Sequence, residues 1–171
     1  VEEFMPVLPV IVSLRDDTLQ ERHWAEIHEI IGFEIKGDED FTVGMIIEKE
    51  ITSHADRIQE IGTFSQQEFV LEGMMAKVQG IWKVSELDIR SYKDAKDMFI
   101  LGDTSEVIAN LDDSLVTINT VLGSRYVGGI RDMVDSWRNR LMLFQETLDE
   151  WLMCQRTWMY LETIFSSPDI V

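Results

Sequence analysis

The residue groupings best suited to chemistry are a glycine-spaced loop, an acidic run, three histidines and one cysteine. Gly123-Ser-Arg-Tyr-Val-Gly128 has the glycine spacing of a phosphate-binding loop. Such a loop needs a following lysine to reach the β/γ-phosphates and a hydroxyl residue to hold magnesium. Here Gly129-Ile130 stand in those places, so the spacing is a coincidence. Asp38-Glu-Asp40-Phe-Thr42 begins like a calcium loop, but its sixth position is Val43 and its twelfth is Lys49, where glycine and glutamate are required. A solvated acidic loop is the expectation. None of His23, His28 and His54 belongs to a His-Glu-x-x-His motif or follows a glutamate by three positions, as zinc proteases and di-iron bundles demand. His23, beside Trp24, is expected to pack or cap. Cys154 lies between Trp151 and Trp158 with no histidine on its face, so an inert, buried or half-buried thiol is expected. The catalytic, cofactor-binding and metal-ligating sets are therefore all read as empty, and the carboxylates as solvated helix faces.

The elements that position these residues read as helices. Thr18-Leu-Gln-Glu21 fits a capping box, and the following helix of about 14 residues runs through Trp24, Ile27 and Ile31 until Gly32 stops it. Gly32 to Phe41 reads as a loop. Residues 43–61 look helical but interrupted, with Gly62 as a separator. Ser65-Gln-Gln-Glu68 is a second capping box, opening a helix with Phe69, Val70, Met74, Val78, Ile81 and Trp82 at helical spacing. Alternation at Leu87 and Ile89 and the apolar run Met98–Leu101 predict a small β-hairpin around Tyr92–Lys96. Asp103 then caps a helix with apolar positions 108, 111, 115, 118 and 122.

Ile130, Trp137, Phe144, Trp151, Trp158 and Phe165 recur at intervals of seven. A second row four residues on, Val134, Leu141 and Leu148, gives way to Gln155 and Glu162. These rows form the seam of a heptad helix. No glycine or proline interrupts Ile130–Phe165, so one helix roughly 54 Å long is expected. A strict seven-residue row drifts about 20° per heptad on a straight helix, about 100° over five. The stripe must therefore wrap around its neighbours, or the helix must curve. The fold class is mainly α: an elongated multi-helix bundle with one long C-terminal helix and a hairpin near 87–101. Three subregions are expected, helical over 1–85, hairpin over 86–102 and long-helix bundle over 103–171.

Composition excludes other classes. The chain has 171 residues, 45% of them hydrophobic, with three prolines and one cysteine. That is enough apolar surface for a real core, and a lone cysteine permits no internal disulfide, in keeping with a reducing compartment. The charge of −17 repels nucleic acid and anionic membranes, and a microtubule surface equally. Met5–Val12 is too short and too rich in proline for a signal peptide or a membrane span. The start at Val1-Glu-Glu and the turn signal Ser166-Ser-Pro-Asp169 at the other end read as the cut ends of a longer polypeptide.

Leu14-Arg-Asp16 followed by Leu19-Gln-Glu-Arg-His-Trp24 resembles the "LRNP-LKERHW" segment of dynein heavy chains. Asp149-Glu-Trp-Leu152, Gln155-Arg156, Trp158-Met-Tyr-Leu-Glu162 and Ile164-Phe-Ser-Ser-Pro-Asp-Ile170 resemble that family's "LDEWL-VQR-WMYLE-IFSS-DI" block. Ile108–Asp113 with Leu115 is similar to its "LLDDHL" stretch. The Trp-Met-Tyr-Leu-Glu and Ser-Ser-Pro-Asp forms are closer to axonemal dyneins than to cytoplasmic ones. The resemblance implies a piece of the linker, the arm that arches over a ring of six AAA+ modules and swings as the first module turns over ATP. ATP and magnesium would then belong to that ring, and the microtubule to a distant tip. The partners of this piece would be the ring and the remaining linker of the same chain, with intermediate and light chains held by other regions. The setting would be an axoneme in a cilium or flagellum, with the cytoplasm as the alternative. A lever needs compliant points between stiff helices. The candidates are Gly32–Phe41, Gly62 and, ranked first, the turn bearing Gly123, Gly128 and Gly129. Composition and periodicity alone permit a rival, a non-motor α-helical scaffold or tethering segment.

Overall fold

The computed structural model describes residues 7–35, 42–93 and 97–165. The acidic run at 38–41, the hairpin tip at 94–96 and the block at 166–170 lie outside the described residues, as do the first two residues of the Met5–Val12 stretch. The fold is mainly α. Its order is α1 (Val7–Leu14), α2 (Glu21–Ile31), α3 (Val43–Glu48), a 3-10 turn (Ile51–His54), α4 (Ala55–Val84), β1 (Ile89–Ser91), β2 (Phe99–Leu101), α5 (Ser105–Leu122), a second 3-10 turn (Gly128–Ile130) and α6 (Arg131–Phe165). The chain forms two compact units: residues 1–73 with 125–130, and residues 74–124 with 131–171.

The first unit closes on a core of Val7, Val10, Leu14, Ile27, Ile46, Ile51, Ile58 and Ile61, with Trp24, Ile30 and Phe33 packed against it. Each such aliphatic side chain contributes roughly 1.5–3 kcal/mol on burial. Gly32 ends α2 at φ 81°, a left-handed conformation that glycine adopts without steric cost. The helix starts later than its predicted cap. Gln20 is the N-cap, and Asp16 Oδ1 accepts both the backbone N–H (2.9 Å) and the hydroxyl (2.6 Å) of Thr18, which holds Thr18 in a turn ahead of the helix. These bonds, with one from Gln66, hold the Asp16 carboxyl below its ordinary pKa. His23 Nδ1 accepts the N–H of Gln20 at 3.1 Å instead.

Gly62 and Ser65 do not bound a helix. Both lie inside the continuous 30-residue α4, and the Ser65 hydroxyl donates to the Gly62 carbonyl at 3.0 Å. Gly62 is there for space, because a Cβ would come within 3.1 Å of Ser13 Cβ. The interruption falls earlier, at Glu50, whose φ of 51° separates α3 from the 3-10 turn. Phe69 and Val70 are exposed and Leu71 and Met75 are buried in their place, whereas Val78 is buried as expected and Trp82 packs against a core, so only the early part of the α4 stripe departs from the predicted one.

In the second unit β1 and β2 pair antiparallel, with Ile89 opposite Leu101 and Ser91 opposite Phe99. α5 packs along α6 and buries Val107, Leu111, Ser114, Ile118 and Val121. A core of Leu101, Val107 and Leu148 gathers Trp82, Leu87, Phe144 and Leu152 around it. The Trp82 indole N–H donates to Ser114 Oγ at 3.0 Å, and its ring meets Phe144 edge-on at 5.4 Å. α6 is one helix of 35 residues, about 52 Å long.

Candidate functional site

Glu68 projects from α4 into the first unit and is 1% exposed. Arg22 of α2 reaches it through Nε at 2.9 Å and through one terminal nitrogen at 2.5 Å, and the same nitrogen also meets Glu72 at 3.0 Å. Burial opposes the Arg22 charge, but the hydrogen bonds it donates to Glu68 and Glu72 outweigh it and raise the Arg22 pKa above its ordinary value. Because His23 Nδ1 accepts a backbone N–H, the ring proton belongs on Nε2. That atom faces Glu68 Oε2 at 3.0 Å without hydrogen-bond alignment. The other carboxylate oxygen, Oε1, is buried with no hydrogen-bond partner among the described residues. It lies against Gly129, where an added Cβ would collide with it and approach Arg22 Nε to 2.6 Å.

Around this cluster lies a cleft of about 270 Å³, lined by Arg22, His23, Glu26, Arg57, Phe64 and Glu68 among others. Arg57 pairs with Glu60 at 2.7 Å and with Glu26 at 3.7 Å. Two guanidinium groups thus face three carboxylates on the cleft wall, an excess of one negative charge, and among the described residues lining it no nucleophile stands beside a base. The cluster works as a clamp on the turn that carries Gly129. Phe64 and Tyr126 add an edge-on ring contact at 5.3 Å.

The three glycines proposed as a hinge differ in circumstance. None has a positive φ. Gly123 sits at φ −73° as the C-cap of α5. A Cβ on Gly128 would meet only Phe64 at 3.9 Å, whereas Gly129 has no room for one.

A second polar cluster fastens the hairpin to α6. Gln155 Oε1 accepts the N–H of Leu101 at 2.7 Å, and its Nε2 donates to the carbonyl of Leu101 at 2.9 Å. The side-chain amide thus satisfies the outward-facing backbone groups of β2 as a neighbouring strand would. Glu162 accepts the Tyr92 hydroxyl at 3.0 Å and pairs with Lys93 at 2.5 Å. The Tyr92 ring packs edge-on against Trp158 at 4.9 Å. These two residues are the positions where the seam loses its apolar character. Their polarity was the signal of a docked element, and the heptad reading stopped at the loss.

Along the predicted seam Ile130 is buried, Trp137 and Phe144 are half-buried, and Trp151, Trp158 and Phe165 are exposed. Val134, Leu141 and Leu148 are all buried. Cys154 is exposed, contrary to expectation, because its place on α6 lies away from Leu148 and Gln155, which face the core. Among the described residues, no group of three or more His, Cys, Asp and Glu side chains converges as metal ligands do, and no helix is long and apolar enough to cross a membrane.

Long helices whose buried polar groups serve packing define a helical structural module. A family model described as "Dynein heavy chain, N-terminal region 2" matches residues 1–171, and the chain belongs to the dynein heavy chain family. It is 40% identical over 171 residues to human dynein axonemal heavy chain 6, 36% over 171 residues to human dynein axonemal heavy chain 2, and 34% over 170 residues to human dynein axonemal heavy chain 1. Each comparison covers 99% of this chain and 4% of the relative, so the chain spans about one twenty-fifth of their length. Membership in this motor family goes against a non-motor scaffold.

Proposed function

We propose that this chain is a lever segment of the linker in an axonemal dynein heavy chain. The observation that carries this reading is the family match over residues 1–171. The two continuous helices, of 30 and 35 residues, supply the stiffness that force transmission needs. In this reading ATP and magnesium are bound by the AAA+ ring elsewhere in the polypeptide, and the microtubule is held by a distant domain. This segment couples ring turnover to sliding in a cilium or flagellum, without hydrolysing nucleotide itself. Its direct partners are the ring and the remaining linker, while intermediate and light chains bind other regions.

A lever is recognised by uncoupling. Glu146 and Glu150 are exposed on α6, so replacing both by glycine loosens the helix, at about 1 kcal/mol each, without touching its core. In the full-length motor, Glu146→Gly with Glu150→Gly should leave basal ATP turnover unchanged and lower microtubule gliding velocity at least twofold. A parallel fall in both quantities, or no change in gliding, overturns the reading.

A further inference from the structure

The two edges of the hairpin differ. On β2 the outward N–H and carbonyl of Leu101 are both taken by Gln155. On β1 the register decides which groups point away from β2. The Asp88 carbonyl accepts from the N–H of Gly102, and the N–H of Tyr92 donates to the carbonyl of Met98. The even-numbered residues therefore face β2, and the N–H and carbonyl groups of Ile89 and Ser91 face outward. Among the described residues nothing bonds to these four groups, and both residues are exposed. Such an edge is a template for another strand. Beside it lies a mostly apolar cleft of about 480 Å³, with Trp82, Leu87, Ile89, Val107 and Phe144 among its walls. Ile89 belongs to both edge and cleft, so a strand laid on β1 at the usual spacing of about 4.8 Å brings its own side chains to the cleft.

We propose that the β1 edge and this cleft bind an extended, basic segment of a separate polypeptide, which adds a third strand to the hairpin and places an apolar side chain in the cleft. The backbone groups call for an extended segment, and the cleft for apolar residues at alternate positions. Charge selects the rest. Residues 83–106 carry six carboxylates against four basic side chains, within a chain at −17. A basic strand is drawn to this surface, and a second copy of the chain is repelled. The edge is only three residues long, which suits a reversible contact between separate polypeptides. The surface does not require a lever, so its test is independent of the motility test.

The probe is a fluorescein-labelled peptide of alternating lysine and valine, added to the full-length heavy chain. Fluorescence anisotropy should report saturable binding, and the same peptide N-methylated at every amide should bind roughly tenfold more weakly. Ser91→Pro removes an outward N–H that the hairpin does not use. It should weaken binding roughly fivefold, with amide protection at Tyr92 and Leu101 kept at the parent level. If that protection is lost, Ile89→Ser, which opens the wall shared with the cleft, takes its place with the same expected loss. No saturable binding, or binding unchanged by the substitution, overturns the proposal. Equal binding of the N-methylated peptide marks mere electrostatic adsorption and overturns it too. A third arm places p-benzoylphenylalanine at Ser91. Irradiated with the peptide, it should cross-link to the peptide; irradiated alone, a cross-link to a segment of the same heavy chain outside residues 1–171 shows the edge already occupied, and the proposal fails.

Discussion

Glu68 stands three residues after Ser65 and so has the local signature of a capping carboxylate. It lies in mid-helix because α4 runs straight through that stretch, and its Oε2 accepts from Arg22 instead of from a helix start. Local spacing could reveal a carboxylate with a hydrogen-bonding task. It could not reveal a partner 46 residues away, since that pairing exists only once α2 lies against α4. Gly129 illustrates the same limit: a glycine reads as freedom in a sequence, and here its use is the room it leaves for Glu68 and Arg22. Gly129→Ala should therefore displace the Arg22–Glu68 pair and destabilise the first unit by about 1–3 kcal/mol, as overpacking does. Gly128→Ala should leave it as stable as the parent or more so, by up to about 1 kcal/mol. Amide exchange at residues 125–130 reads the difference, and equal protection in the two variants would refute the clamp.

At the scale of elements, the drift of a strict heptad explains how one row of aromatics comes to be half-buried early in α6 and exposed towards its end. At about 20° per heptad, the row that starts buried at Ile130 has turned far enough by Phe165 to leave it 65% exposed. The drift was legible in the sequence, although a wrapped stripe or a curved helix was expected from it and not an exposed row; α6, the Gly32 stop and the hairpin were legible as well. The buried face of α4 was legible at Val78 and Trp82 but not at Phe69 and Val70, which have the right hydrophobicity on the wrong side. Gln155 offers the sharpest contrast between pattern and structure. Replacing it by leucine completes the apolar row and should, on periodicity alone, strengthen the helix seam. Its amide, however, holds both backbone groups of Leu101, and leaving such groups unpaired costs roughly 1–2 kcal/mol. Gln155→Leu should accordingly speed amide exchange at Leu101 by roughly 5–30-fold. Unchanged or slower exchange would show that the strand-like pairing does not fasten the hairpin.

For the molecule as a whole, composition only narrowed the expectations, and the motif block pointed to the family. Neither could say where a lever yields. In the proposed lever α4 and α6 would supply the stiffness, so compliance would belong in the connections between helices, and the turn from Gly123 to Gly129 joins α5 to α6. Since Gly129 is fixed by space, the test falls on Gly123 and Gly128. Neither has a positive φ, and the nearest atoms to a new Cβ are Asn119 O at 3.4 Å for Gly123 and Phe64 Cζ at 3.9 Å for Gly128. Alanine at these positions keeps the present conformation and removes backbone freedom, which stabilises such sites by about 0.4–1 kcal/mol each. If the turn must reach a second conformation during the stroke, Gly123→Ala with Gly128→Ala raises the cost of leaving the first one. A combined penalty of about 1–2 kcal/mol shifts a two-state equilibrium roughly 5–30-fold. The double variant in the full-length motor should then show slower gliding and a smaller nucleotide-dependent change in linker position, with stability equal to or above that of the parent. Unchanged gliding with an unchanged linker excursion would move the compliant point away from this turn.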